Sequence, residues 1–304
     1  MTRKAVAPQF GPTWRRAVRS LRAAALHFGH GAASAEDEAA WMLIHALGWP
    51  VMESFATFGS LARRPVPPDA MARFNDLVVQ RIATRKPVAY LLGEAWLQGV
   101  RFVVDERVIV PRSFIAELLP EALEPWLEAE PRRVADICTG SGCLGILAAL
   151  RWPQARVLCA DISADALKVA EANVRLHRLS DRVELLHSDL LDAMPTPPAG
   201  QGIDLLLCNP PYVNAAAMRA LPQEYQHEPA LALAGGSDGM ELVRRLLADA
   251  PRVLAPTGLV VVEIGHERAH FEAAFPRLPV IWLPTSAGHD SVFLVHAAAL
   301  REAE

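Results

Sequence analysis

From residue 113 onward, short apolar runs alternate with amphipathic stretches, and this alternation constrains the fold more tightly than any other feature of the chain. Strands are expected at 133–138, 156–161, 183–187, 203–208 and 259–264, and helices at 113–128, 143–151, 164–177 and 240–253. Strands joined through helices run parallel in one sheet, with the helices covering both faces. The last two strands, 280–283 and 292–296, have only a turn at 286–290 between them, so they pair antiparallel at the sheet edge. The expectation is an α/β, Rossmann-like sheet of seven strands with the last antiparallel.

Ahead of the sheet the period is helical. Trp14, Val18, Leu21, Ala25 and Phe28 recur at three- and four-residue steps before Gly29, and Ser34 with Asp37 reads as the start of a second helix. A third helix, carrying Met71, Phe74, Val78 and Ile82, follows the breaker run 65–68. Residues 87–112 change period and read as a β-hairpin linker. The expected domains are therefore a helical one over 1–86, the linker over 87–112, and the sheet domain over 113–304.

Composition removes several classes of function. With 52% hydrophobic and 21% charged residues, the chain can bury a core. Its longest apolar runs, such as 144–150, fall far short of the ~20 residues that span a bilayer. Arg3 and Lys4 are not followed by an apolar segment, so no secretory signal is read and a cytoplasmic location is expected. Cys138, Cys143, Cys159 and Cys208 lie in apolar segments without CxxC spacing, and the ten histidines lack HExxH spacing. Reduced thiols and no metal are expected. The net charge of −4 hides an asymmetry: residues 1–86 hold 12 basic and 6 acidic side chains, and the remainder holds 18 and 28. The basic lobe is either a solvated arginine-rich face or a surface that approaches RNA or a ribosome-bound substrate.

Gly140-Ser141-Gly142-Cys143-Leu144-Gly145 follows a strand and opens a helix, with Asp161 ending the next strand. Such spacing is shared with dinucleotide sites, where a helix amino terminus stabilises a pyrophosphate. Asp136, just before Cys138 and Thr139, would repel a diphosphate and suit a cofactor carrying an ammonium and a sulfonium, which points to S-adenosylmethionine. The loop Cys138, Thr139, Gly140, Ser141 and Gly142 then passes the methionine moiety, and Asp161 with the adjoining Ile162 faces the ribose end. Asp189 is placed either to read an adenine amine or to cap a helix, with Leu190 covering the ring.

The strand 203–208 runs into Asn209-Pro210-Pro211-Tyr212. Adjacent prolines hold Asn209 extended at the strand's carboxyl end, where open α/β sheets bind ligands. The Asn209 side-chain oxygen and the Pro210 carbonyl can each accept one hydrogen of a planar NH2 group, with Tyr212 as an aromatic wall and Pro211 completing the acceptor site. An amide nitrogen has a delocalised lone pair, and holding both hydrogens favours a geometry that frees it without a strong base. Asn209 therefore belongs to the catalytic, acceptor and cofactor sets together. A Pro-Pro turn can also be plain loop punctuation. Other readings of the same residues are a nucleic-acid exocyclic-amine methyltransferase, which would flip a base into the pocket, and a non-catalytic cofactor-binding module.

At these residues the chain resembles the glutamine amide methyltransferases that modify translation proteins. One branch modifies peptide chain release factors and the other the third protein of the large ribosomal subunit. Arg85-Lys86-Pro87-Val88-Ala89-Tyr90-Leu91, His227-Glu228-Pro229 and Gly235-Gly236 with Gly239 are similar to features of both. Glu94-Ala95-Trp96-Leu97-Gln98-Gly99, 103–107 and Pro111-Arg112-Ser113 resemble the ribosomal-protein branch, although Phe114 stands where that branch usually places proline. The resemblance implies a class I methyltransferase fold with a helical substrate-recognition domain, S-adenosylmethionine as donor, S-adenosylhomocysteine as product, and a ribosomal-protein substrate, free or in a pre-ribosomal particle. His227 is expected to order the loop between Val213 and Gly239.

Overall fold

The computed structural model describes residues 7–198 and 200–302; the first six residues, Ala199 and the last two lie outside the described residues, including Arg3 and Lys4 of the leader reading. The chain forms two compact units: Met1–Ala95 with Pro222–His227, and Trp96–Leu221 with Glu228–Glu304.

The first unit is helical, built on Phe10–Ala23, Ala35–Ala46 and Pro68–Thr84, with shorter helices Val51–Ala56 and Val88–Leu92. Ser34 caps its helix by accepting the Asp37 N–H at 3.2 Å, satisfying a donor the helix itself cannot use. Pro68 opens the third long helix, where its missing N–H costs nothing. That helix buries Arg81 completely, and the guanidinium forks onto Glu38 at 2.8 and 2.9 Å. Burial pushes the Glu38 carboxyl above its ordinary range in spite of this partner. Residues 222–227 belong here because Glu224 accepts the His27 N–H at 2.9 Å and pairs with Arg85 at 2.7 Å. His227 lies in the same segment, its Nε2 3.0 Å from the Thr84 carbonyl. The unit ends at Ala95 and not at Lys86, since the buried Glu94 carboxylate lies 3.3 Å from Trp41 Nε1 and 3.4 Å from His45 Nδ1.

Strands β1 (Glu94–Leu97) and β2 (Val100–Val103) form a small two-stranded sheet. The second unit contains β3 (Arg133–Ile137), β4 (Arg156–Asp161), β5 (Val183–His187), β6 (Ile203–Cys208), β7 (Leu254–Glu263), β8 (Ile281–Trp282) and β9 (Val292–His296). Their order across the sheet is β5-β4-β3-β6-β7-β9-β8. The pairs from β5 to β7 are parallel, while β9 is antiparallel to both β7 and β8. The chain therefore closes the sheet as the alternation demands, with the antiparallel β9 inserted between β7 and the edge strand β8. Helix Arg268–Ala274 lies between β7 and β8, and its Phe271 ring packs on Phe293 at 4.4 Å.

Two expectations require correction. Residues 113–128 do not form one helix: Ile115–Leu118 is a single turn and Glu124–Trp126 a 3-10 turn, because Pro120 and Pro125 remove N–H donors and clash with a continuing helix. β7 begins at Leu254 and not at Leu259, with a register shift between Ile203 and Leu205 of β6. The irregularity takes up Pro256, which a regular central strand could not hold.

The sheet order reverses on either side of β3, so the carboxyl ends of β3 and β6 flank a crevice that no connection covers. Cys138 follows one strand and Asn209 the other.

Candidate active site

A cavity of about 190 Å³ opens at that crevice. From the sequence-predicted set it is lined by Cys138, Gly140, Asp161, Ile162, Asp189, Leu190, Asn209 and Pro211. Cys138 and Leu190 have φ of 59° and 48°, conformations a side chain adopts only where surrounding structure holds it there, and both sit at the cavity wall.

Asp136 is not on that wall. It is 1% exposed beneath the glycine loop, where its Oδ2 accepts from Thr139 Oγ1 at 2.5 Å and from Gly145 N–H at 2.8 Å. Its work is to brace the loop, because the strand end turns the carboxylate under the turn and away from the crevice. Oδ1 has no hydrogen-bond partner among the described residues, and burial pushes the carboxyl up to about 7. Thr139, Ser141 and Gly142 are likewise buried loop supports that do not line the cavity. Asn173, fully buried, ties the Ser141 carbonyl to Val103 by donating to both carbonyls at 2.9 Å while accepting the Val103 N–H at 2.7 Å. Gly145 permits the helix to press on the sheet: a Cβ there would lie 2.2 Å from Cys159 Sγ.

Asp161 faces the cavity. Its two oxygens accept Gly140 N–H and Ser163 N–H, each at 2.8 Å, and burial raises its carboxyl against the pull of these donors. Each oxygen keeps a further lone pair, enough for a diol. Ile162 and Leu231 line the same cavity while 47% and 59% exposed, an apolar surface suited to a planar ring. Asp189 is shared: its Oδ2 accepts from Arg245 at 2.8 Å, while the adjacent turn uses Ser188 Oγ, which accepts the Ala193 N–H at 3.0 Å. The acceptor oxygens of Asp161 and the apolar wall of Ile162, Leu190 and Leu231 fit the diol and planar ring that S-adenosylmethionine carries.

Asn209 is half-buried on the cavity wall, and its side-chain amide has no hydrogen-bond partner among the described residues. Pro210 is buried and Tyr212 half-buried, neither lining the cofactor cavity itself. The Tyr212 hydroxyl lies 3.3 Å from Glu263 Oε1.

Several wall residues lie outside the sequence-predicted set. Arg107, Val108 and Ile109 come from the segment after β2, and Pro229 and Ala232 from the insertion after Tyr212. Leu242 and Arg245 lie on helix Glu241–Val253. The insertion is fixed by Glu228, whose buried carboxylate accepts from Arg112 at 2.7 Å and from Val110 N–H at 3.0 Å. The signal was present as Pro111-Arg112 and His227-Glu228-Pro229, but two separated short motifs do not announce that they pair.

Comparison with known proteins agrees with this architecture. Residues 115–275 match the Methyltransferase small domain and residues 15–93 the PrmC N-terminal domain. The hMettl16 catalytic domain shares the fold at a TM-score of 0.50 and 15% identity, over 74% of this chain and 80% of that one. Ribosomal protein uL3 glutamine methyltransferases are far more similar. That of Bordetella pertussis is 52% identical over 92% of each chain, that of Burkholderia pseudomallei 50% over 94% of each, and that of Neisseria gonorrhoeae 42% over 92% of each. The chain is an S-adenosylmethionine-dependent protein methyltransferase and belongs to the ribosomal protein uL3 glutamine methyltransferase family.

Proposed function

We propose that this protein methylates the side-chain amide nitrogen of a glutamine in ribosomal protein uL3, with Asn209, Pro210 and Tyr212 handling the acceptor. The observation that carries the reading is the Asn209 amide, without a hydrogen-bond partner among the described residues, on the cofactor cavity at the carboxyl end of β6. Bound S-adenosylmethionine supplies an electrophilic methyl group on a sulfonium. The Asn209 side-chain oxygen and the Pro210 carbonyl accept the two hydrogens of the glutamine NH2, turning its lone pair toward that methyl group. Pro211 keeps the turn extended, and Tyr212 packs on the amide plane. The proton leaves after transfer, so no strong base is needed. Asp161, Ile162, Asp189 and Leu190 hold the ribose and adenine, and Cys138 and Gly140 face the methionine end, with Thr139, Ser141, Gly142 and Asp136 bracing the loop from below.

The reading extends to where the substrate is met. Arg15, Arg16 and Arg19 are exposed on helix Phe10–Ala23, and Arg15 and Arg19 make no ion pair with another described residue. They support contact with ribosomal RNA, and so a uL3 substrate in an assembling cytoplasmic particle. No helix among the described residues is long and apolar enough to cross a membrane. The test is intact-mass analysis of ribosomal proteins and release factors from cells with and without the protein. The expected result is uL3 heavier by one methylene only when the protein is present; a shifted release factor with unchanged uL3 would overturn the substrate.

A further inference from the structure

β7 ends in Glu263, an acid that none of the steps above uses, in a strand whose neighbours Val260, Val261 and Val262 are fully buried. Glu263 itself is 2% exposed, and such a carboxylate is costly unless donors surround it. Three do. Ser113 Oγ donates at 2.6 Å and Phe114 N–H at 2.8 Å to Oε2, and the Tyr212 hydroxyl lies 3.3 Å from Oε1. The first two fix the carboxylate, and the third hands that fixed position on to Tyr212.

The ring is also closely approached by a glycine. Gly265 lies against it so closely that a Cβ there would be 2.5 Å from Tyr212 Cε2. Gly235 and Gly239 admit the Tyr212 backbone in the same way, with Cβ positions 2.6 and 2.3 Å from its Cα and carbonyl oxygen. At 3.3 Å the hydroxyl contact is longer than the ~2.5–2.7 Å of a tight charge-assisted bond. It therefore steers the ring, while Gly265 leaves it room for close packing.

We infer that Glu263 is a positioning residue for methyl transfer: held by Ser113 and the Phe114 N–H, it orients the Tyr212 ring through its hydroxyl so that the ring presents one face to the acceptor amide. This rests on the assignment of Tyr212 to the acceptor site. A buried acid serving packing alone would be replaceable by its isostere without effect on turnover, whereas one that acts through Tyr212 must share its effect with Tyr212.

The experiment is a double-mutant cycle in kcat, with uL3 as substrate and cofactor affinity measured alongside. Glu263→Gln is expected to lower kcat about tenfold, the scale of one hydrogen bond, with cofactor affinity and thermal midpoint held. In a Tyr212→Phe background the same substitution should cost less than about twofold. Unchanged kcat in Glu263→Gln, or the full loss persisting in the Phe background, overturns the proposal. Tyr212→Ala separates the two levels: retained turnover there sinks the acceptor assignment, while lost turnover with additive Glu263→Gln sinks the positioning role alone. Should Glu263→Gln fail to fold, Ser113→Ala runs the same cycle, and an effect on kcat that survives Tyr212→Phe counts against the inference.

Discussion

Asn209 presents a half-buried side-chain amide with no hydrogen-bond partner among the described residues, a group that a ligand or water would complete. Asn209→Ala should therefore leave cofactor affinity near its original value while lowering turnover by about 100-fold, the scale of one preorganised contact to a transition state. Isothermal titration and single-turnover kinetics separate the two; lost affinity with intact turnover would contradict the role. Asp161→Ala should do the opposite, weakening cofactor binding by about 1.5–3 kcal/mol in calorimetry, since a charged acceptor is removed from hydroxyl donors. Asp136 gives a pH signature. Burial raises its carboxyl from 3.8 to about 7, so the folded chain holds a proton that the unfolded chain releases at lower pH. Stability from this group is full below pH 3.8 and is lost as pH rises through about 7. The ligand-free protein should lose thermal midpoint across that window, and Asp136→Asn should flatten the loss; a parallel slope in the variant would assign it to other groups.

Elements deliver these residues to one place, and the sequence revealed the elements unevenly. The strand–helix period made the sheet legible, and with it the meeting of the ends of β3, β4, β5 and β6 around one cavity. That Asn209 and Asp161 reach this cavity could be read because Asp161 ends β4 and Asn209 directly follows β6. The direction of the Asp136 carboxylate could not, since whether a strand-end acid turns into a crevice or under a loop depends on the Gly145 N–H that captures it. Glu263 was illegible for a related reason: its donors lie 51 and 150 residues away along the chain, and no local spacing encodes such a meeting. The cavity wall from Pro229 to Ala232 comes from an insertion without period, pinned by the Arg112–Glu228 pair. Glu228→Gln keeps an acceptor for the Val110 N–H but removes the charge that holds Arg112. Cofactor affinity should fall about tenfold, the scale of one charge-assisted hydrogen bond, mainly through faster release in stopped-flow displacement. Unchanged release would show that the wall stands without the pair.

At the level of the whole molecule, two units imply two stabilities. Arg81→Ala leaves the Glu38 carboxylate buried without its fork, a loss of about 3–5 kcal/mol. Denaturation followed by fluorescence of Trp14, Trp41 and Trp49 should show the helical unit melting earlier, while saturating cofactor still raises the transition of the sheet unit. A single unshifted transition would argue against separate units. The helical unit is also stitched from two distant stretches of chain, because Glu224 closes it on His27 and Arg85. Synthesis runs from the amino terminus, so residues 1–95 emerge while that closing acid is still unmade, and the wait at ~5–20 residues per second is on the order of ten seconds. During that interval the newborn unit carries an arginine and a backbone N–H with no carboxylate to meet them. A nascent chain stalled before residue 222 should therefore be cut by protease within its helices, and one stalled after the sheet domain should resist.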